Sequence, residues 1–344
     1  LGQLTGSEIT EERLNACYVS SNYTPRTYYG EVLTDGDFRK NAVQELFKTP
    51  AAFAKARDKD YDCIIVDEAH RMYTWKFGLG LKKSVDVIDT LFKASLVNVF
   101  FLDENQEVTT SDYLTEDKIR MYASRYGSEV IAGDKLTLTS QFRCAGGQQY
   151  IDYVEHFLGY NHNPVNLRGM RYEFRIFDSI KDMVEAIHKK QERPETEKSR
   201  ILSGYTKAHN WVSKDDSNAF DFDYPEEGVK LQWNKTVSGR AAVMEESQKD
   251  RVFYVNMVQG VDLDYAGVIL CRDVRYENGE VTFHQEEDAD TDGFSGIRAC
   301  KDKEKAIQLI RNSYRVLLTR GTRGTYLYVE DPALREHLKN LAKN

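Results

Sequence analysis

Residues 62–71 read Asp-Cys-Ile-Ile-Val-Asp-Glu-Ala-His-Arg, and this stretch decides the fold. Cys63–Val66 is an apolar run with no polar alternation, which predicts a strand covered on both faces, as in a parallel sheet sandwiched by helices. It stops on the pair Asp67–Glu68, and ligands of open α/β sheets sit at the carboxyl ends of strands. Similar runs recur at 15–21 (NACYVSS), 98–104 (NVFFLDE), 199–205 (SRILSGY), 265–271 (YAGVILC) and 324–331 (GTYLYVED). Helical patterns at 84–94, 145–157, 179–190 and 302–318 alternate with them. Alternating strands and helices predict an α/β, doubly wound parallel sheet.

The chain has 344 residues, more than one hydrophobic core usually organises, so two domains are expected. The junction is placed after Phe142–Arg143, giving 1–143 and 144–344, with polar insertions near 207–234 and 273–302. Within the second insertion, Asn278–Gly279 is a type I′ hairpin signal. Hydrophobic residues at 41% and charged residues at 30% describe an ordinary globular chain. No apolar run reaches the roughly 18–20 residues that cross a bilayer, and no leader pattern is present. Five cysteines (Cys17, Cys63, Cys144, Cys271, Cys300) without C-x-x-C spacing read as reduced thiols in a cytoplasmic protein, not as a disulfide framework or a zinc site. The net charge of −8 argues against a whole-surface affinity for nucleic acid, but not against a local basic groove.

Asp67 suits a carboxylate that holds a water on a nucleotide-bound magnesium, and Glu68 one that polarises the water attacking the γ-phosphate. A helix cap is the plainer reading of such a pair. In VFFLDENQ (99–106), Asp103 and Gln106 suit a phosphate sensor; an Asx turn is the alternative. LTSQFRC (138–144) carries Gln141 and Arg143, the latter a bidentate fork for a transferring phosphoryl group or a salt-bridged helix start. In VQGVDLD (258–264), Gly260 would let the backbone turn close to phosphates, with Gln259 and Asp262 coupling nucleotide to nucleic acid; a plain hairpin is the alternative. In RVLLTRGTRG (315–324), Arg320 suits an arginine finger, although Arg315, Arg320 and Arg323 together also read as surface charges at a helix end.

Three strings are set aside as decoys. Asp288–Gly293 starts like a calcium loop, but Ala299 stands where the bidentate Glu belongs, so it reads as a solvated acidic loop. GLGLKKS (78–84) has the wrong spacing for a phosphate loop and reads as a helix cap near Ser84. Trp211 and Trp233 offer stacking surfaces for bases, or else a small core for the insertion.

In this order the strings resemble superfamily 1 DNA/RNA helicases, and more closely the bacterial Schlafen group 3-like DNA/RNA helicase domains. The resemblance runs from ACYVSSNYTPR (16–26) through DCIIVDEAHR, FFLDENQ, LTSQFRC, ILSGY (201–205) and VQGVDLDYAGVI to RNSYRVLLTRGTRGTYLY. It implies two RecA-like lobes of the P-loop NTPase fold with nucleotide in the cleft between them. It further implies ATP and Mg2+ as cofactors, with Asp67 serving the metal and Glu68 the water. Gln106, Arg143 and Arg320 would then face the γ-phosphate. The implied partner is single-stranded DNA or RNA, with Tyr205 and Trp211 as candidate contacts. Two departures stand out. No G-x-x-x-x-G-K-[ST] occurs in the chain, and Leu1 is not Met, so the phosphate loop is expected upstream of Leu1 and the chain by itself is expected to bind nucleotide poorly. Asn256–Met257 also stand where the family has His-Thr before Val-Gln-Gly. The expected activity is nucleic-acid-stimulated ATP hydrolysis driving unwinding or translocation. A nucleotide-gated defence or signalling module without unwinding, and an inactive helicase-fold scaffold, are the alternatives.

Overall fold

The computed structural model describes residues 3–5, 8–10, 14–21, 29–30, 32–34, 39–72, 86–112, 114–133, 136–137, 144, 147–235, 242–290 and 295–343. The chain forms two compact units. The first comprises Leu1–Asn105 and Ser111–Thr137, the second Gln106–Thr110 and Leu138–Asn344.

The first unit has a short antiparallel pair, β1 (Gln3–Thr5) with β2 (Glu8–Thr10), and a four-stranded parallel sheet. Its strands are β3 (Ala16–Ser20), β4 (Phe47–Lys48), β5 (Tyr61–Asp67) and β6 (Ser95–Phe100), in the order β4-β3-β5-β6. Cys17 and Val19 of β3 and Ile64 and Val66 of β5 point to one face and pack with Val87, Ile88 and Leu91 of the helix Val87–Ala94. Asp86 caps that helix, its carboxylate accepting from Ile88 N at 3.1 Å and Asp89 N at 3.2 Å. Burial on both faces, expected from the apolar runs, does not hold for β6, which lies at the sheet edge. There Leu96, Val97 and Val99 are 58%, 53% and 38% exposed.

The second unit is built on a five-stranded, wholly parallel sheet in the order β11-β8-β12-β15-β7. The strands are β7 (Glu173–Phe177), β8 (Arg200–Ser203), β11 (Val252–Phe253), β12 (Leu263–Leu270) and β15 (Gly321–Val329). Here the central strands are buried on both faces. Ala266, Val268 and Leu270 of β12 pack with the helices Gln148–Phe157, Lys303–Leu318 and Pro332–Ala342. Tyr265 and Ile269 face the helix Ile180–Gln191 on the other side. Ser179 and Asp302 cap two of these helices, accepting from Asp182 N and Lys305 N. The 207–234 insertion adds the antiparallel pair β9 (Phe222–Tyr224) and β10 (Val229–Leu231). The expected type I′ hairpin joins β13 (Val274–Glu277) to β14 (Glu280–Phe283), with φ of 54° at Asn278 and 87° at Gly279. Parallel sheets flanked by helices in both units give the RecA-like α/β architecture. Among the described residues, no helix is long and apolar enough to cross a membrane.

Candidate functional site

β5 delivers Asp67 to its carboxyl end, level with Ser20 of β3. The Tyr18 hydroxyl, on the neighbouring strand, donates to Asp67 Oδ2. Burial and the adjacent carboxylate push the Tyr18 phenol well above its ordinary pKa, so it stays a donor. Glu68 takes the left-handed conformation at φ 49°, which costs a residue with a Cβ roughly 1–2 kcal/mol. That turn lets Ala69 N donate to Phe101 O at 2.8 Å, extending the β5–β6 pairing past the strand end. Glu68 Oε2 lies 3.2 Å from Nε2 of the buried His70, and the Glu68 side chain is 12% exposed. The result is two half-buried carboxylates at a strand end, each with a side-chain neighbour. Hard oxygen donors of this kind fit magnesium.

Asp103 belongs to the same unit. Its Oδ1 accepts from Asn105 N at 3.0 Å, the Asx turn that was the plainer alternative. Gln106, three residues on, belongs to the second unit together with Gln259 and Arg320. Gln259 Nε2 donates to Gln106 O at 2.9 Å, and Arg320 Nη2 donates to Gln106 Oε1 at 3.3 Å. Arg320 is only 1% exposed, so it is not one of a set of surface charges; it also donates to Val316 O at 3.1 Å and Val258 O at 3.4 Å. Arg315 pairs with Glu155 at 2.8 Å and Arg323 with Asp264 at 3.3 Å.

Gly260 completes a type II turn. Gln259 has φ −62° and ψ 132°, Gly260 has φ 76°, and Val261 N donates to Val258 O at 3.2 Å. The turn follows one helical turn, Val255–Val258, which carries Asn256 and Met257. β11 and β12 are separated by β8, so the plain-hairpin alternative for this segment is corrected: parallel strands cannot be joined by a tight turn within one ladder. Asp262 is exposed. Half-buried Tyr205 and Trp211 pack against Trp233, with ring centroids 5.7 Å and 6.4 Å from it, in a cluster that the insertion shares with Ile180, Met183 and Ile187 of the helix Ile180–Gln191. Gln141, Arg143 and the 78–84 string lie outside the described residues. Asp288, read as part of a solvated loop, is instead 8% exposed, its carboxylate accepting from Asp290 N at 2.9 Å.

The structure therefore brings together Gln106, Gln259 and Arg320 in one unit and Asp67 and Glu68 in the other. Sequence reasoning missed Tyr18. Its only sequence signal is a Tyr two residues before the end of the preceding strand, which becomes informative once Ser20 is known to pair with Asp67.

The family described as Schlafen group 3, DNA/RNA helicase domain, matches residues 3–331. The chain is also similar to the uncharacterized protein YPL245W of Saccharomyces cerevisiae, with 30% identity over 305 residues. That alignment covers 82% of this chain and 65% of the yeast protein, so the chain spans just under two thirds of its relative's length. With the family match extending over nearly the whole chain and a parallel α/β sheet in each unit, this chain belongs to the Schlafen group 3 DNA/RNA helicase domain family.

Proposed function

We propose that the protein carrying this chain is an ATP-dependent motor that moves along single-stranded DNA or RNA or unwinds duplexes of them. The observation that carries the reading is the Asp67–Glu68 pair at the carboxyl end of β5, flanked by Tyr18 and His70. Asp67 would hold a water of the magnesium that accompanies ATP, with the Tyr18 hydroxyl fixing its carboxylate. Glu68 would orient the attacking water and take its proton. ATP would supply the phosphoanhydride bond, and magnesium held at Asp67 would neutralise its charge. Gln106, Gln259 and Arg320 share hydrogen bonds, which suits a set that relays nucleotide state to nucleic acid.

ATP hydrolysis measured with and without single-stranded DNA and RNA tests the proposal. Stimulation by one of them is expected, and a rate that neither changes would overturn it. A second reading, a nucleotide-gated binder that does not unwind, is favoured by the engagement of Arg320 with carbonyls of its own unit. Separation of a tailed duplex decides between them, because a non-unwinding module leaves the strands paired.

A further inference from the structure

The second unit holds a buried polar cluster that the proposed motor chemistry does not use. It sits at the carboxyl ends of β8, β12 and β15, on the face covered by the 207–234 insertion. Cys271 follows β12, Glu330 follows β15, and His209 comes from the one-turn 3-10 helix Lys207–His209 of the insertion. One ligand atom from each of the three lies within 4.8 Å of the other two. His209 and Cys271 are buried, and the Glu330 side chain is 7% exposed. Two polar atoms of this group, Glu330 Oε2 and His209 Nδ1, are buried without a hydrogen-bond partner, which buried polar groups rarely tolerate.

We infer that His209, Cys271 and Glu330 form a divalent-metal site of the zinc class, which fastens the 207–234 insertion to the sheet. Nitrogen, sulfur and carboxylate oxygen make a mixed donor set that suits zinc and disfavours magnesium and calcium, which take oxygen alone. The surroundings already hold the donors in place. Trp233 Nε1 donates to His209 O at 2.8 Å, and the His209 ring stacks on Phe222 at 4.3 Å between centroids. The Tyr224 hydroxyl donates to Glu330 Oε1 at 2.8 Å, and Ser203 Oγ lies 3.2 Å from Cys271 Sγ. His209 Nε2 and Glu330 Oε1 already pair at 2.6 Å, so the Glu330 oxygen open to a metal is the unpartnered Oε2. Binding must release the Cys271 thiol proton to solvent as the sulfur–metal bond forms.

The test uses the intact protein, stripped with a chelator and titrated with zinc chloride against a chromophoric competitor, with cobalt(II) as a spectroscopic probe. One equivalent of zinc should bind, raise the thermal midpoint, and be little displaced by excess magnesium. Cobalt should show a thiolate charge-transfer band that Cys271→Ser abolishes. Cys271→Ser and Glu330→Gln should each weaken zinc binding by more than about 100-fold, and Tyr224→Phe by about 10-fold, as loss of an outer-shell partner does. Circular dichroism of each metal-free variant separates lost binding from lost folding. No stoichiometric uptake by folded wild type would overturn the site, as would unchanged affinity in the folded Cys271→Ser variant.

Discussion

Replacing Glu173 with Gln removes a charge from the edge strand β7 while keeping the side chain's size. The carboxylate accepts from Lys190 Nζ at 2.8 Å, Tyr265 Oη at 2.9 Å and Tyr326 Oη at 2.6 Å. Lys190 lies 3.8 Å over the Tyr265 ring, so the cluster ties β7, β12 and β15 to the helix Ile180–Gln191. Burial works to raise the Glu173 pKa, but Lys190 and the hydroxyls of Tyr326 and Tyr265 outweigh it and bring it from 4.5 down to about 2. A carboxyl whose folded pKa is depressed stabilises the fold above its unfolded pKa, and that contribution is lost as pH falls through the folded value. The full shift corresponds to about 3 kcal/mol. Discounted for a side chain that is 30% exposed, about 2 kcal/mol is expected. Urea unfolding of wild type and Glu173→Gln at pH 7, 5, 4 and 3 measures it. The gap should be about 2 kcal/mol at pH 7 and 5 and shrink below pH 4.5. A gap that stays constant with pH would refute the charge argument and leave only packing.

Three further outcomes follow from particular contacts. Tyr18→Phe removes the hydroxyl that holds Asp67, and should weaken magnesium-dependent ATP hydrolysis about 10-fold, read from a magnesium titration. Gly267→Ala places a Cβ 2.6 Å from Ile187 Cγ1 and 2.8 Å from Met183 Sδ, and should cost about 1–3 kcal/mol of stability in urea unfolding of the second unit. Arg320→Lys cannot reach Val316 O, Val258 O and Gln106 Oε1 together, and should destabilise the same unit by about 3 kcal/mol in that assay.

The central strands were legible because burial on both faces leaves an uninterrupted apolar run, as in YAGVILC of β12. β7 was not: it is an edge strand, and Glu173 and Arg175 break its apolar pattern. Strand ends were read less well than strand existence. β6 starts at Ser95, ahead of the expected 98, because Ser95 and Val97 pair with Tyr61 and Cys63 of β5. Local chemistry was readable where a residue's own backbone conformation demanded it, as at Asn278–Gly279 and the Gly260 turn. Side chains that meet only through the fold were not. Tyr18 with Asp67, and Cys271 with Glu330, are far apart in sequence and become neighbours through parallel register, while the insertion brings His209 to the second pair. All five cysteines are free, as their spacing implied.

Asp67 and Glu68 are proposed above to serve ATP hydrolysis. Single-turnover hydrolysis by the intact protein, with ATP binding measured in parallel, tests it most directly in wild type and Glu68→Gln. Glu68→Gln should lower the hydrolysis rate by about 100- to 10,000-fold, with ATP binding retained. A variant that hydrolyses ATP at the wild-type rate would contradict it.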